Sequence, residues 1–185
     1  NDVRVIALDA HTGIPCADFG SNGEVKPDTG MPLEWPGEFQ ITSAPVVVSD
    51  VVVVGSAIAD NRRVEAPSGA VRAFDARTGK PRWQFDPLRL DGVSAGHANV
   101  WAPMSVDEAR GLVFLPTTSP SPDFWGGKRT GDNAHANSIV ALNVETGELK
   151  WSFQTVHHDV WDYDLPAQPT LARIDAGEGP REVVI

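Results

Sequence analysis

Three segments of the chain resemble one another, and their spacing constrains the fold more than any other feature. Each has a short β-forming run, then Asp or Asn, then Thr-Gly, then a second run that ends in Phe: "VIALDAHTGIPCADF", "VRAFDARTGKPRWQF" and "IVALNVETGELKWSF". The Asp or Asn side chain can bond the turn backbone and the glycine supplies a left-handed residue, so each segment predicts a β-hairpin. The turn glycines recur at intervals of 66 and 68 residues: Gly13, Gly79 and Gly147. Strand repeats with this period predict a β-propeller with long insertions.

Further strand candidates lie between the repeated hairpins and bring each unit to four strands. The class is therefore all-β, built of antiparallel four-stranded blades, since no stretch has the apolar spacing of a helix over ten or more residues. The predicted division is one complete blade over residues 43–85 and another over 101–153, with the end of an earlier blade at 1–20 and the start of a later one at 166–185. The chain begins and ends inside strand patterns, so we expect it to be a piece of a larger propeller.

The connections between the strand candidates alternate between short and long. In an up-and-down blade, alternate connections fall on opposite faces, so all the long ones are predicted to share one face. These long connections are residues 20–42, 56–69, 86–100, 117–137 and 155–165. Long loops on a rigid scaffold are where binding and catalytic groups are usually found.

Charge and cysteine content exclude some classes of function. The formal net charge of −10 argues against a nucleic-acid surface or a basic membrane-binding patch, since both need an excess of Lys and Arg. Cys16 is the single cysteine, which excludes an internal disulfide and a multi-cysteine metal site. No apolar run approaches the roughly 20 residues of a membrane-spanning helix.

Residues 155–164, "TVHHDVWDYD", carry the greatest density of reactive side chains. A shared metal at His157 and His158 is disfavoured, because neighbours in an extended segment point in opposite directions. Asp159, crowded by aromatic side chains, is a candidate general base whose pKa would be raised by partial desolvation. The competing interpretation is that Asp159 and Asp162 cap a turn.

Other long-loop residues allow both a functional and a structural interpretation. Asp60 and Asn61 offer oxygen ligands of the kind that bind Ca²⁺ or Mg²⁺, although such a pair more commonly forms a turn. Trp101 begins a strand on the long-loop face, where its ring would form the floor of a pocket or pack in the core. Trp83 and Trp151 occupy equivalent repeat positions and are predicted to pack one blade on the next.

Four stretches together resemble one known family. They are "IADN", "PSGAVRAFDARTGKPRW", "WAPMSVDEARGLVFLPT" and "TVHHDVWDYDLPAQPTL". They resemble the pyrroloquinoline-quinone (PQQ)-dependent dehydrogenases, in the branch of membrane-bound glucose dehydrogenases and quinate/shikimate dehydrogenases. The resemblance implies an eight-bladed propeller of the quinoprotein dehydrogenase type, with PQQ at the centre of one face beside a bound Ca²⁺ or Mg²⁺.

The resemblance also implies a role for individual residues. Asp159 matches the catalytic aspartate that accepts the proton of the substrate hydroxyl. Asp60 matches an acidic metal ligand, with Asn61 beside it, and Ser119 stands where many members have a metal-binding asparagine. A serine is a shorter and poorer ligand, which weakens the expected metal site. The implied cofactor-binding residues are Thr42, Trp101 and Ser121.

The implied activity is oxidation of a sugar or polyol hydroxyl, with glucose favoured over quinate or shikimate and ubiquinone as the electron acceptor. The implied location is the periplasm, with attachment to the inner membrane through a segment absent from this chain. The alternative is a non-catalytic PQQ-like propeller that acts as a binding or assembly scaffold. Residues 1–185 alone are expected to be inactive and to self-associate through open blade edges.

Overall fold

The computed structural model describes residues 3–63, 65–89 and 95–185, and every element bounded within these ranges is a β-strand. Residues 64 and 90–94, which belong to two of the predicted long loops, lie outside the described residues. Over the described ranges, no helix has the length and apolar character needed to cross a membrane. The strands are β1 (Val5–Ile6), β2 (Glu24–Val25), β3 (Phe39–Gln40), β4 (Val46–Val48), β5 (Val51–Val54), β6 (Ala57–Ile58), β7 (Val71–Asp75), β8 (Pro81–Phe85), β9 (Ser105–Asp107), β10 (Leu112–Pro116), β11 (Ser138–Asn143), β12 (Leu149–Gln154), β13 (Leu171–Asp175) and β14 (Pro180–Val184).

Two antiparallel sheets of four strands dominate the structure. Their strand orders are β4-β5-β7-β8 and β9-β10-β11-β12, so the strands of each sheet pair in an up-and-down pattern. This arrangement confirms the predicted all-β class with antiparallel four-stranded blades. The sheets extend from Val46 to Phe85 and from Ser105 to Gln154, while the outer limits of the units predicted at 43–85 and 101–153 stay predictions.

Three smaller pairs complete the described strands: β1 with β2, β3 with β6, and β13 with β14. The first repeat differs from the hairpin predicted for it. Beyond its turn the returning chain forms a single bridge, Leu8 with Pro15, and β1 pairs instead with β2. The amides of Asp9 and Cys16 bond to the carbonyls of Ile14 and Ala7 around this bridge, and the Phe19 amide then bonds to the Cys16 carbonyl, which turns the chain out of the ladder.

The three Thr-Gly turns form the same hydrogen bonds. In the second repeat, the Asp75 carboxylate accepts bonds from the Thr78 amide at 2.9 Å and the Thr78 hydroxyl at 2.8 Å. Asp9 and Asn143 accept the equivalent bonds in the first and third repeats. The turn glycines have φ values of 69°, 68° and 70°, the left-handed region that favours glycine. The predicted turn chemistry is thereby confirmed.

The main core lies between the two large sheets. It is made of aliphatic side chains from both, including Val53, Val71, Val113, Leu115 and Val140, each with no exposed surface. This burial supplies the apolar contact that holds one sheet against the next.

Trp83 joins the first large sheet to a turn of the second. Its indole Nε1 donates a hydrogen bond of 2.9 Å to the carbonyl of Val144, and its ring packs against Gly147. The prediction that Trp83 packs one blade on the next is confirmed. Trp151, at the equivalent position, contacts Phe114 with ring centroids 5.7 Å apart and stays 41% exposed.

The long loops are connected to one another by backbone hydrogen bonds. Gly69 donates to His97, Ala98 to Ser119 and Thr155 to Asn137, while Asn137 donates to Thr118 and joins the two ends of one loop, all at 2.9–3.1 Å. We call this series of bonds the loop ladder. It satisfies backbone groups that the loops would otherwise bury unpaired, and it brings four long loops together.

Candidate functional site

The candidate site is formed where the loop ladder brings the long loops together. Two glycines permit the close approach. A Cβ atom at Gly69 would lie 2.2 Å from the His97 carbonyl oxygen, and one at Gly96 would lie 2.4 Å from that of Ala66. Only glycine fits at such separations, so the sequence fixes the loops in contact at these points.

Asp159 is the best-held carboxylate of the site. It is 1% exposed, and its oxygens accept hydrogen bonds from the amides of Trp161 and Tyr163 at 3.0 and 2.8 Å. The Ser119 hydroxyl also donates to this carboxylate, and the Asn137 side-chain amide does so at 3.2 Å. A buried carboxylate with this many donors is stabilised in its charged form.

The predicted direction of the Asp159 pKa was wrong. Burial by itself raises the pKa of the carboxyl group, as the sequence suggested. The hydrogen bonds from Ser119, from the two amides and from Asn137 each lower the pKa. Their combined effect is larger than that of burial, so the pKa lies below its ordinary value of 3.8. Asp159 therefore both caps its turn and is ionised at neutral pH.

Arg129 binds the backbone carbonyl of Asp159. Its guanidinium is 1% exposed and donates to the Asp159 carbonyl at 2.6 Å, to the Pro122 carbonyl at 3.1 Å and to Asn133 at 2.7 Å. Burial lowers the pKa of Arg129, while the charges of Asp123 and Asp159 oppose that shift. One buried cation thus connects the loops that carry Asp123 and Asp159.

Ser119 and Asn137 form a buried polar pair beside Asp159. The Asn137 amide donates to the Ser119 hydroxyl at 2.9 Å and to the Tyr163 carbonyl at 2.9 Å. Its own side-chain oxygen is buried without a hydrogen-bond partner among the described residues. The Ser119 hydroxyl is thus bonded to both Asp159 and Asn137. Asn137 is therefore a residue of the site, which the sequence did not indicate.

Trp101 is bonded to the same carboxylate, that of Asp164, as the Ser119 amide. Its indole Nε1 donates a hydrogen bond of 2.7 Å to Asp164, and the ring is 36% exposed. The other Asp164 oxygen accepts the Ser119 amide at 2.8 Å. Of the two interpretations of Trp101, the structure favours a ring at the loop surface over one packed in the core.

Four further aspartates come close together around Asp159, and three of them hold raised pKa values. Burial raises the pKa of Asp162 to about 6, with the charges of Asp164, Asp123, Asp60 and Asp159 adding to the effect. Burial likewise raises the pKa of Asp164, although its bonds from Ser119 and Trp101 oppose the shift. Partial desolvation raises the pKa of Asp60, opposed by His97 and reinforced by Asp123 and Asp164. Such mutual effects show that the carboxylates share one negatively charged region.

A histidine that the sequence did not single out faces this region. His97 Nδ1 lies 3.6 Å from an oxygen of Asp60 and 3.6 Å from an oxygen of Asp123. One ligand atom from each residue falls within 4.8 Å of the others, the separation that a shared metal ion requires. The signal available beforehand was weak, because the three residues come from three different loops.

The other predicted site residues have different positions. Ser121 is buried, and its hydroxyl donates to the Arg63 carbonyl at 3.1 Å. Asn61 is exposed with a φ of 54°, as in a turn. Thr42 is exposed, and in the described parts of the chain none of the hydrogen bonds that hold the site includes it. His157 is exposed, and His158 contacts the Gly131 carbonyl at 2.6 Å, so the two do not share a ligand position.

The site and fold together have the features of a propeller oxidoreductase. Residues 1–185 match the family described as "PQQ: Glucose/ethanol/alcohol dehydrogenase, beta-propeller domain". Because the match covers the whole sequence, the chain belongs to this family.

Curated relatives agree with this assignment. Quinoprotein glucose dehydrogenase A of Acinetobacter calcoaceticus is 42% identical over 184 residues, which covers 94% of this chain and 23% of that protein. Quinate/shikimate dehydrogenase (quinone) of Acinetobacter baylyi is 43% identical over 189 residues, 96% of this chain and 23% of that protein. The chain therefore spans about a quarter of the length of these relatives.

A solved structure has the same fold. Quinohemoprotein alcohol dehydrogenase from Comamonas testosteroni superposes with a TM-score of 0.77 at 28% identity, over 99% of this chain and 29% of that one. The agreement in three dimensions confirms the propeller architecture predicted from the repeats.

Proposed function

We propose that this chain forms part of the active face of a PQQ-dependent dehydrogenase that oxidises a hydroxyl group of a sugar or cyclic polyol. Glucose is the favoured substrate and ubiquinone the electron acceptor. One observation carries the proposal: the buried, ionised Asp159 lies beside Ser119, whose amide shares Asp164 with the partly exposed Trp101. The names of the relatives, which include glucose and quinate/shikimate dehydrogenases, support the substrate class.

Asp159 is the proposed general base. Its lowered pKa keeps it ionised and ready to accept a proton at neutral pH, although a low pKa also makes it a weaker base. Its four donors hold the carboxylate in one orientation, so that positioning offsets part of the lost basicity. The bound quinone supplies the electron-accepting chemistry, and the protein supplies orientation and charge.

Trp101 is the proposed platform for the cofactor ring. The bond to Asp164 fixes the plane of the indole, and the exposed part of its face is available for stacking. Thr42 and Ser121 are the proposed hydroxyl contacts to the cofactor.

The donor set of the site fits the divalent metal that the family implies. Clustered carboxylates with raised pKa values indicate negative charge that a cation would neutralise. The Asp123 Oδ2 atom and the Asn137 Oδ1 atom are also buried without partners among the described residues. We assign Asp60 as a ligand of Ca²⁺ or Mg²⁺, with Asn61 and Ser119 as the further ligands that the resemblance supplies.

The proposed location of the complete enzyme is the periplasmic side of the inner membrane. The relatives named as quinone-linked dehydrogenases support this location, because a lipid-soluble acceptor is held in the membrane.

A non-catalytic scaffold is the competing function, and the burial of charge argues against it. Asp123 and Asp159 are each 1% exposed, and both lie close to further carboxylates. Placing several acids together below the surface costs stability unless they bind something. A scaffold that binds no cation would lose this stability without any compensating interaction.

The experiment that tests the proposal is reconstitution of the full-length protein. The metal-free protein receives PQQ and Ca²⁺, and its absorbance spectrum and glucose oxidation with a soluble quinone acceptor are recorded. Stoichiometric binding of PQQ with turnover is the expected result. Failure to bind PQQ in a folded protein would favour the scaffold.

A further inference from the structure

Asn137 joins three polar groups of the site through one side-chain amide. Its Nδ2 atom lies 2.9 Å from the Ser119 hydroxyl oxygen, 3.2 Å from Oδ2 of Asp159 and 2.9 Å from the carbonyl oxygen of Tyr163. These groups belong to residues 18, 22 and 26 positions away in the chain. Asn137 is 1% exposed, so the bonds form away from water, where each is electrostatically stronger.

The acceptors determine which way the Asn137 carboxamide points. The Asp159 carboxylate and the Tyr163 carbonyl have no hydrogen to donate, so they must face the nitrogen of the amide rather than its oxygen. This orientation leaves Asn137 Oδ1 buried without a partner among the described residues. The Ser119 oxygen accepts an amide hydrogen, and its own hydrogen is directed at Asp159. Donation to the hydroxyl oxygen also strengthens the bond that the hydroxyl donates.

The four donors to Asp159 are divided unequally between its two carboxylate oxygens. Oδ2 accepts from the Ser119 hydroxyl, the Asn137 side-chain amide and the Tyr163 backbone amide. Within the described part of the chain, Oδ1 accepts only the backbone amide of Trp161, at 3.0 Å. A carboxylate oxygen has about two lone-pair sites, so Oδ2 is fully occupied and Oδ1 keeps one site available.

We propose that Asn137 is a positioning residue for the proposed base: together with Ser119 it occupies Oδ2 of Asp159 and thereby presents Oδ1 to the substrate hydroxyl. This role rests on the proposed function, in which Asp159 is the base, and specifies which of its oxygens reacts. The O–H bond of the substrate breaks, its proton passes to Oδ1, and its electron pair stays on the substrate oxygen. Without the Asn137 amide, the Ser119 hydroxyl is no longer oriented and the carboxylate can rotate.

The backbone of Asn137 explains why asparagine suits this position. Its φ of 44° lies in the left-handed region, which Gly, Asn, Asp and His adopt more readily than other residues. The Asn137 amide donates to the Thr118 carbonyl at 3.1 Å, and its carbonyl accepts from the Thr155 amide at 2.9 Å and the Thr155 hydroxyl at 2.6 Å. Of the residue types that suit this backbone, only asparagine also carries a side-chain amide with two hydrogens to donate.

The test is a double-mutant cycle in the full-length protein loaded with PQQ and Ca²⁺. Its members are the unsubstituted protein, Asn137→Gly, Asp159→Asn and the double variant. For each we measure the affinity for PQQ, together with kcat and KM for glucose or quinate, whichever is oxidised. Glycine removes the side chain and keeps the left-handed backbone. Asn22→Gly is the matched control, since Asn22 is an exposed asparagine with a φ of 53°.

We expect Asn137→Gly to lower kcat by about 10–100-fold, because a small misplacement of a reacting group costs up to roughly 100-fold in rate. KM and the affinity for PQQ should stay close to those of the unsubstituted protein, and Asn22→Gly should change none of the three. Since Asn137 acts through Asp159, the double variant should be no slower than Asp159→Asn alone. Losses that multiply in the double variant would indicate a general structural role and overturn the proposal, as would an unchanged kcat in Asn137→Gly.

A crystal structure answers the same question if Asn137→Gly does not fold. Crystals of the unsubstituted holoenzyme, with its PQQ reduced, are soaked with the same substrate. We expect the substrate hydroxyl oxygen within about 3 Å of Asp159 Oδ1, and a hydroxyl bound at Oδ2 would overturn the proposal. A folded full-length protein that neither binds PQQ nor oxidises either substrate would refute the proposed function and this role together. Turnover that Asn137→Gly leaves unchanged would refute this role alone.

Discussion

Trp101 and Asp164, which are 63 residues apart in the chain, are joined by a hydrogen bond of 2.7 Å from the indole to the carboxylate. The same carboxylate accepts the amide of Ser119, whose hydroxyl donates to Asp159. The proposed ring platform and the proposed base are therefore connected through two intervening residues. A shift in the indole would be transmitted directly to the surroundings of the base.

Replacing Trp101 by phenylalanine should weaken PQQ binding by about tenfold. The smaller ring keeps some stacking but loses the hydrogen bond to Asp164 that holds the ring plane, and tenfold weaker binding corresponds to a loss of about 1.4 kcal/mol. Fluorescence titration of the full-length protein with PQQ measures the change. Trp125→Phe is the matched control, since Trp125 is an exposed tryptophan of another long loop. Equal losses in both variants would show that the effect is not specific to Trp101.

Replacing Asp159 by asparagine should lower turnover by roughly 10²–10⁴-fold or more, because the general base is lost. The amide has nearly the same shape, so PQQ binding should persist. Steady-state kinetics and a PQQ titration of the full-length enzyme test both parts. Asp132→Asn, an exposed aspartate, is the control. Near-normal turnover in the Asp159 variant would remove this residue from the mechanism.

Asp162 predicts an unusual dependence of stability on pH. Its pKa is raised to about 6, so the folded state binds this proton more tightly than the unfolded state does. The stabilising contribution is fully present below the ordinary pKa of 3.8 and is lost as pH rises from there through about 6. Thermal unfolding of the metal-free protein should show this dependence on pH.

The variant Asp162→Asn should flatten the curve and raise stability at neutral pH. Asparagine tolerates the φ of 63° at this position, so the backbone is not strained. Unfolding temperatures with the same pH dependence in both proteins would contradict the assignment.

Two of the turn glycines allow the stability losses of equivalent substitutions to be compared. Gly147→Ala places a methyl group 2.7 Å from the Trp83 ring, whereas Gly13→Ala, at the same repeat position, has no atom within 4 Å. Both variants carry the left-handed strain of about 1–2 kcal/mol, and only Gly147→Ala adds about 1–3 kcal/mol from overlap. Denaturant unfolding should therefore show the larger loss for Gly147→Ala, and equal losses would mean that Trp83 does not pack there.

The local parts of the fold were predictable because their causes are local. Asp75 accepts bonds from residues two and three positions ahead, so the turn is determined within one segment. The alternation of short and long connections likewise determined which loops would share a face. It correctly brought Trp101 and Asp159 into one network of hydrogen bonds, through Ser119 and Asp164.

The parts that sequence reasoning missed depend on distant contacts. The pKa of Asp159 is lowered by donors that include Ser119, which is 40 residues away, so the neighbouring aromatics were a poor guide. His97 carries no motif, and its position opposite Asp60 and Asp123 arises from backbone bonds between loops. In the first repeat the chain turns away after Cys16, and β1 pairs instead with the more distant β2.

The loop ladder has a consequence for how such a site can diversify. Its hydrogen bonds join main-chain groups, so they are indifferent to the side chains at Ala98, Thr118 and Asn137. They also fasten the loops at their bases, so the parts of a tip that contribute no residue to the site can change length at little entropic cost. Exchange or extension of such a part can then alter which hydroxyl compound the proposed enzyme accepts without disturbing the bases. The face is in this respect modular, with its framework and its selectivity encoded by different atoms.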